Sequence, residues 1–229
     1  MSADVSFLAL YLDAPLQSWG YQSRFDRRTT LSYPTRSGIL GLICAAMGKD
    51  RADKAALAEL DTLSVTVLVF AQGGRLTDFH TVGGGYDRKT QEQFIVHTAE
   101  GKLRGAGKET VPTEREYLEE SRFGAIVGGD RGRIEQIATA VGNPKWGIWL
   151  GRKACIPAAP VCAGVWSTEA EAEEALVKED AVLRPDRRGV QRRIREAGTF
   201  DEGTDTLMDR PLDFRKRDFA PRRVAVTTE

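Results

Sequence analysis

The residues best suited to chemistry in this sequence are cations set beside glycines and aromatic rings. Arg24, Arg27 and Arg28 crowd one polar stretch in which Asp26 is the only opposing charge, and Trp19 lies just before them. An exposed indole there can stack on a nucleobase, worth about 1–3 kcal/mol, while a buried one is a core plug. Arg36, between Thr35 and Ser37, falls where a helix is expected to start. The macrodipole disfavours a cation in a first turn unless an anion is near, and that anion is either a phosphate or a carboxylate. Gly151-Arg152-Lys153 follows Lys145, Trp146 and Trp149 and reads as a phosphate-cradling loop or as a plain turn. Lys108 belongs to a glycine-rich run with Arg88, Lys89, Lys102 and Arg104, more basic than acidic.

His80 and His97 are the only histidines, and neither has metal-ligand spacing. His80 with Tyr86, Lys89 or His97 could supply a general base and a leaving-group cation. Cys44, Cys155 and Cys162 match no zinc or redox pattern and read as reduced, small hydrophobes. Gly-x-Gly-x-x-Gly and Walker A patterns are absent, so no site for a dinucleotide or nucleoside triphosphate is expected. No cofactor and no metal are expected.

Elements must position these groups. Residues 5–12 alternate with apolar side chains on both faces, as a central strand does. Pro34 favours an extended Tyr33, Thr35 or Ser37 can cap a helix, and Gly48 can end it. That helix is apolar round most of its surface, with Gly38, Gly41 and Ala45 on one narrow stripe that admits a neighbouring backbone. A short helix over residues 53–60, a strand over 64–70 and a return strand after the turn at 72–75 follow. Residues 83–114 hold too few apolar side chains for a core and are predicted to form an extended hairpin or a loop that orders on a partner.

Extended structure resumes at residues 115–127, with a turn at Gly128-Gly129. A helix over 131–141 and a strand at 148–150 then close a ferredoxin-like or RRM-like β-α-β-β-α-β unit. Past it, a strand at 161–166 precedes the capping box Thr168-Glu-Ala-Glu171 and an acidic helix to about residue 178. The remainder is rich in charge. Val190, Ile194, Val224 and Val226 can anchor short edge strands, and arginines such as Arg192, Arg193, Arg222 and Arg223 face either solvent or an anionic partner.

Composition sets the bounds. At 229 residues, 41% hydrophobic and 29% charged, the chain is expected to be a soluble globular protein of one sizeable domain or one with an extension. Lys plus Arg and Asp plus Glu both number 33, so any nucleic-acid surface has to be a local patch. The first residues lack a basic n-region, and their apolar run is too short for a signal peptide or membrane span. A cytoplasmic protein without membrane contact is expected.

Five blocks then carry a resemblance: Ala14-Pro-Leu-Gln-Ser-Trp-Gly20, Pro34-Thr-Arg-Ser-Gly-Ile-Leu-Gly-Leu42, Thr77-Asp-Phe-His-Thr-Val82, Arg115-Glu-Tyr-Leu118 and Leu150-Gly-Arg-Lys-Ala-Cys-Ile-Pro157. In this order, over roughly the first 160 residues, they resemble the CasD family, subunits of the type I-E CRISPR surveillance complex Cascade. The resemblance implies an α+β fold: an RRM-like (RAMP) domain over residues 1–160, a thumb-like hairpin insertion at about 83–114, and a small β-rich C-terminal extension over 161–229. It also implies a non-catalytic subunit that caps the 5′ handle of the crRNA. Its partners would be the backbone and large subunits, with target DNA engaged indirectly. The residues expected at the RNA are Trp19, Arg24, Arg27, Arg28, Thr35, Arg36, Ser37, His80, Lys108, Lys145, Gly151, Arg152 and Lys153. A repeat-cleaving endoribonuclease and a protein-only scaffold are the alternatives.

Overall fold

The computed structural model describes residues 4–23, 26–87, 89–98, 100–105, 110–185 and 189–228. In chain order the elements are β1 (Val5–Asp13), β2 (Leu16–Gln17), β3 (Trp19–Gly20), β4 (Arg27–Arg28), β5 (Thr30–Leu31), α1 (Arg36–Met47) and α2 (Lys54–Leu60). Then come β6 (Ser64–Ala71), β7 (Arg75–Val82), β8 (Val111–Glu119), β9 (Arg122–Asp130), α3 (Arg131–Gly142), β10 (Cys162–Trp166), α4 (Glu169–Leu183), β11 (Arg192–Glu196), β12 (Asp205–Asp213) and β13 (Asp218–Thr228). The protein is a mixed α/β structure with four α-helices and largely antiparallel sheets among the described residues.

Seven strands form the main sheet, in the order β10-β1-β9-β6-β11-β13-β12, all pairs antiparallel. Its two faces follow from strand alternation. Leu8, Leu10 and Leu12 of β1, Val65, Val67 and Val69 of β6, and Phe123, Ala125 and Val127 of β9 meet α1 and α3 in the larger core. Ala9, Tyr11, Leu68, Phe70 and Ile126 point the other way and pack on Ala172 and Leu176 of α4. Apolar residues on both faces are what put β1, β6 and β9 in the middle of the sheet.

The helix termini follow local chemistry. Thr35 Oγ1 accepts the Gly38 amide at 3.1 Å, and Gly48 closes α1 in the left-handed region at φ 66°. At α4, Thr168 and Glu171 form both bonds of the capping box. Gly38 is required by packing, because a Cβ there would lie 2.8 Å from Trp19 Cε3.

The remaining differences are long-range. No strand forms at residues 148–150; the edge position beside β1 is taken by β10, so the sheet runs across the boundary expected near residue 160. Gly128 and Gly129 are strand residues of β9 rather than a turn. A Cβ on Gly128 would clash with Phe7 and Ser64, so the glycines serve close strand and side-chain packing. Val190 lies outside the strands, while β11 and β13, which hold Ile194, Val224 and Val226, are interior to the sheet, and β12 is its edge. The return strand β7 does not pair with β6. It pairs with β8 from Arg75↔Leu118 to Val82↔Val111, a two-stranded arm whose strands are separated in the chain by residues 83–110. β2 and β4 brace β8 near its base, β4 in the one parallel ladder recorded.

Candidate nucleic-acid interface

A concave surface with nucleic-acid chemistry is a groove of about 530 Å³ beside α1. Three segments build it. The partly exposed side of α1 provides Ser37, Gly38, Gly41 and Ala45; the loop after α3 provides Trp146, Gly147, Trp149, Gly151 and Lys153; the β12–β13 turn provides Phe214, Arg217 and Phe219. Lys49, Asp50 and Arg51, just past the end of α1, complete the rim. Four cations thus face one carboxylate, and none of the four makes an ion pair among the described residues. Trp146 is 44% exposed, and Lys153 Nζ lies 5.6 Å from the Trp149 ring centroid, a cation–π distance. Aromatic planes with a cationic rim are the combination that single-stranded nucleic acid needs: rings for bases, charges for phosphates.

Cys44 lines the groove with a largely buried thiol. Burial, with the Asp53 charge adding to it, pushes the Cys44 thiol up to about 11, so it stays protonated at neutral pH. The β12–β13 turn is held from below: the Lys216 amide donates to Asp213 Oδ1 at 2.9 Å and Lys54 Nζ lies 3.1 Å from Asp213 Oδ2. That amide, helped by Lys54, holds the Asp213 carboxyl below the usual carboxylate range.

Of the expected site residues, Ser37, Gly151 and Lys153 line the groove. Lys145 is exposed beside it, its stem lying against Gly48. Gly151 is at φ 107°, and a Cβ there would collide with the Ser18 carbonyl, so the loop's path demands glycine.

Arg152 has a different task. Its Nη1 donates to the Glu116 carbonyl at 2.7 Å and its Nη2 to the Arg28 carbonyl at 2.6 Å, while its guanidinium lies 4.8 Å from the Tyr117 centroid. It clamps the groove loop to β8 and β4 at the base of the β7–β8 arm. Glu116 is bound from the other side, since its Oε2 accepts from Arg75 Nη1 at 3.1 Å and from the Thr30 amide at 3.2 Å.

Three expectations are corrected by burial. Trp19 is 1% exposed, with its indole N–H donating to Gln17 Oε1 at 3.1 Å, and is a core plug rather than a stacking platform. Thr35 is buried as the α1 cap. Arg36 is 2% exposed: Nη2 donates to the carbonyls of Asp61 and Leu63 at 2.7 and 2.8 Å, and its anions are Asp61 and Glu196. Nε and Nη1 make no hydrogen bond, but at 2% exposure the guanidinium offers an RNA phosphate almost no surface, and the nearby carboxylates already supply anions beside it.

Arg27 is exposed and 3.5 Å from Glu114, and Arg28 is half-buried. His80 is on β7 with Nδ1 3.6 Å from Asp78 Oδ2; no hydrogen bond or ion pair joins it to Tyr86, Lys89 or His97 among the described residues. Arg24 and Lys108 lie outside the described residues. On the arm, Phe79 is 69% exposed, and Tyr86 and Phe94, in the segment between its strands, lie 5.5 Å apart.

Sequence reasoning missed Lys49, Arg51, Phe214, Arg217 and Phe219. The available signal was the run Phe214-Arg-Lys-Arg-Asp-Phe219, cations bracketed by two rings. Among the described residues no group of His, Cys, Asp and Glu could hold a metal ion, and no helix is long and apolar enough to cross a membrane.

Fold and groove together define a mixed α/β protein with a cationic, aromatic cleft next to a projecting two-stranded arm. Residues 7–225 match the family model described as CRISPR-associated protein (Cas_Cas5), and the chain belongs to that family. Its sequence is 30% identical over 190 residues to the CRISPR system Cascade subunit CasD of Escherichia coli (strain K12), covering 77% of this chain and 78% of that protein. Among solved structures it is similar to a chain of a CRISPR RNA-guided surveillance complex, with a TM-score of 0.73, 31% identity, and coverage of 97% and 89% of the two chains. It is also similar to a crystal structure of a Cas protein, with a TM-score of 0.66, 28% identity, and coverage of 97% and 94%.

Proposed function

We propose that this chain is a non-catalytic RNA-binding subunit of a cytoplasmic type I-E CRISPR surveillance complex, Cascade, in which it caps the 5′ handle of the crRNA. The observation that carries this reading is the similarity, over 97% of the chain, to a subunit of an RNA-guided surveillance complex. The cationic groove gives that similarity a physical means, because a near-neutral protein binds a polyanion only where several cations converge.

In this reading Ser37, Gly151 and Lys153 meet the handle in the groove, with Lys145 beside them. Arg27, Arg28 and His80 meet the RNA along the β4 and arm side, and Arg24 and Lys108 remain RNA contacts in this reading without an assigned place. The strands β10-β1-β9-β6, with α1 and α3 on one face, are its RRM-like, ferredoxin-like unit; the β7–β8 arm with residues 83–110 is the thumb; and the chain from α4 onward is the extension. Neighbouring backbone and large subunits take the exposed surfaces of the arm and extension, and target DNA is reached through them.

The test is to co-purify the full chain with its neighbouring subunits and sequence the bound RNA. Enrichment of repeat-derived 5′ ends is expected. Random cellular RNA, or none, would sink the handle-binding role, and specific cleavage of labelled repeat RNA without metal would overturn the non-catalytic one.

A further inference from the structure

Gly41 lies in the middle of α1, and no described residue crowds the position of its missing side chain. A Cβ there would touch only Phe214 Cζ at 3.8 Å, an ordinary van der Waals contact. Gly38, one turn earlier, is fully explained by the close approach of Trp19. Alanine at 41 would fit the fold and would favour the helix, since glycine inside a helix loses backbone entropy without packing gain. The space left open is part of the groove wall.

The groove's lining identifies what that space can take. Gly41 shares the groove with the rings of Trp149 and Phe214, Phe214 being the nearer to its missing Cβ, and the rim carries Lys49, Arg51, Lys153 and Arg217, which have no ion-pair partners among the described residues. Ring faces together with cations that lack ion-pair partners in one groove are complementary to one flat heteroaromatic ring on a phosphate chain. An apolar peptide side chain without flanking carboxylates would leave the rim charges unmatched.

We propose that Gly41 is part of the wall of a subsite for a single unpaired nucleobase of the bound RNA, whose flanking phosphates sit at the cationic rim. The inference rests on the RNA-binding reading of the groove and deepens it. Gly41 acts by leaving clearance, and the rings act by stacking.

The experiment uses the full chain and a synthetic single-stranded RNA of the host CRISPR repeat sequence, comparing wild type with Gly41→Ala and Gly41→Leu. Both variants are expected to melt no lower than wild type, and Gly41→Ala slightly higher. Affinity is expected to fall about 3-fold for Gly41→Ala and roughly 30-fold for Gly41→Leu, the size of one lost base stack. A scan of the RNA with single abasic sites is expected to find one position whose removal weakens wild type to the same degree and Gly41→Leu no further, the signature of a coupled pair.

Wild-type affinity in both variants overturns the subsite, as does the absence of any abasic position coupled to Gly41. Lys49→Glu with Arg217→Glu separates the two layers. If that pair weakens RNA binding while Gly41→Leu does not, the subsite alone fails. If neither does, the groove is not the RNA surface. Loss of a partner subunit with RNA affinity intact would mean that the groove seats a protein side chain, and would also overturn it.

Discussion

The backbone amide of Arg36 donates to Asp209 Oδ2 at 2.8 Å, so the first residue of α1 is held by a carboxylate 173 positions later in the chain. Asp209 also takes Arg222 through both oxygens, Nε at 3.0 Å and Nη2 at 2.8 Å, and is 1% exposed. Asp61 extends the network to Arg210, whose Nε donates to Asp61 Oδ2 at 2.8 Å. The anion that the helix start requires is therefore supplied from β12 by the protein itself, and the network pins the C-terminal strands to α1 and α2.

Removing Asp209 should unfold the protein easily. Asp209→Ala leaves Arg222 buried with only the distant Glu196, 3.9 Å away, and strips α1 of its terminal acceptor. Loss of one partner from a buried ion pair costs about 3–5 kcal/mol. Urea denaturation should show a lower midpoint of that order, while RNA affinity per folded molecule is kept.

Trp19→Ala separates a core role from a stacking role. Truncating a fully buried tryptophan costs about 3–5 kcal/mol, so chemical denaturation should register a large loss. Unchanged stability with weakened RNA binding would contradict the buried position.

Rim cations should behave in the opposite way. Lys49→Glu or Arg217→Glu should leave the melting temperature within experimental scatter and weaken RNA binding. Each lost phosphate contact flattens the log-log salt dependence by about 0.7. Titrations at several salt concentrations measure both quantities.

Arg152→Ala should weaken RNA binding without flattening that slope, since its nitrogens already serve the carbonyls of Glu116 and Arg28. Amide exchange in the β7–β8 arm should quicken, because the arm's base loses its clamp. A slope reduced as for the rim cations would make Arg152 a direct phosphate contact instead.

Alkaline pH should destabilise the protein partly through Cys44. Its thiol has an ordinary value of 9.0 and is pushed up to about 11 by burial. Between those values the unfolded thiol is ionised and the folded one is protonated, so the unfolded state binds fewer protons and stability falls as pH rises. The contribution is complete below pH 9 and is lost by about pH 11, a change of about 2–3 kcal/mol. Unfolding free energies across that window should fall less steeply in Cys44→Ala.

Local chemistry in the sequence determined much of this protein. The Thr35 and Gly48 ends of α1, the capping box of α4, the two-faced apolar pattern of β1 and the poverty of core residues between Val82 and Val111 all depend on neighbours within a few positions, and all were legible. The family blocks were legible too, being short contiguous words. Tertiary structure alone decided which residue meets which across the chain. It gave Arg36 an internal carboxylate and put Trp19 under Gly38. It paired β7 with β8 rather than β6, and used β10 instead of residues 148–150 beside β1. The groove belongs to this second class, because α1, the loop carrying Trp146 and Trp149, and the Phe214–Phe219 turn become neighbours only when the β12–β13 hairpin folds back onto the helix. Burial and charge pairing are sums over the whole fold, and a linear pattern of cations does not reveal which of them the fold will consume.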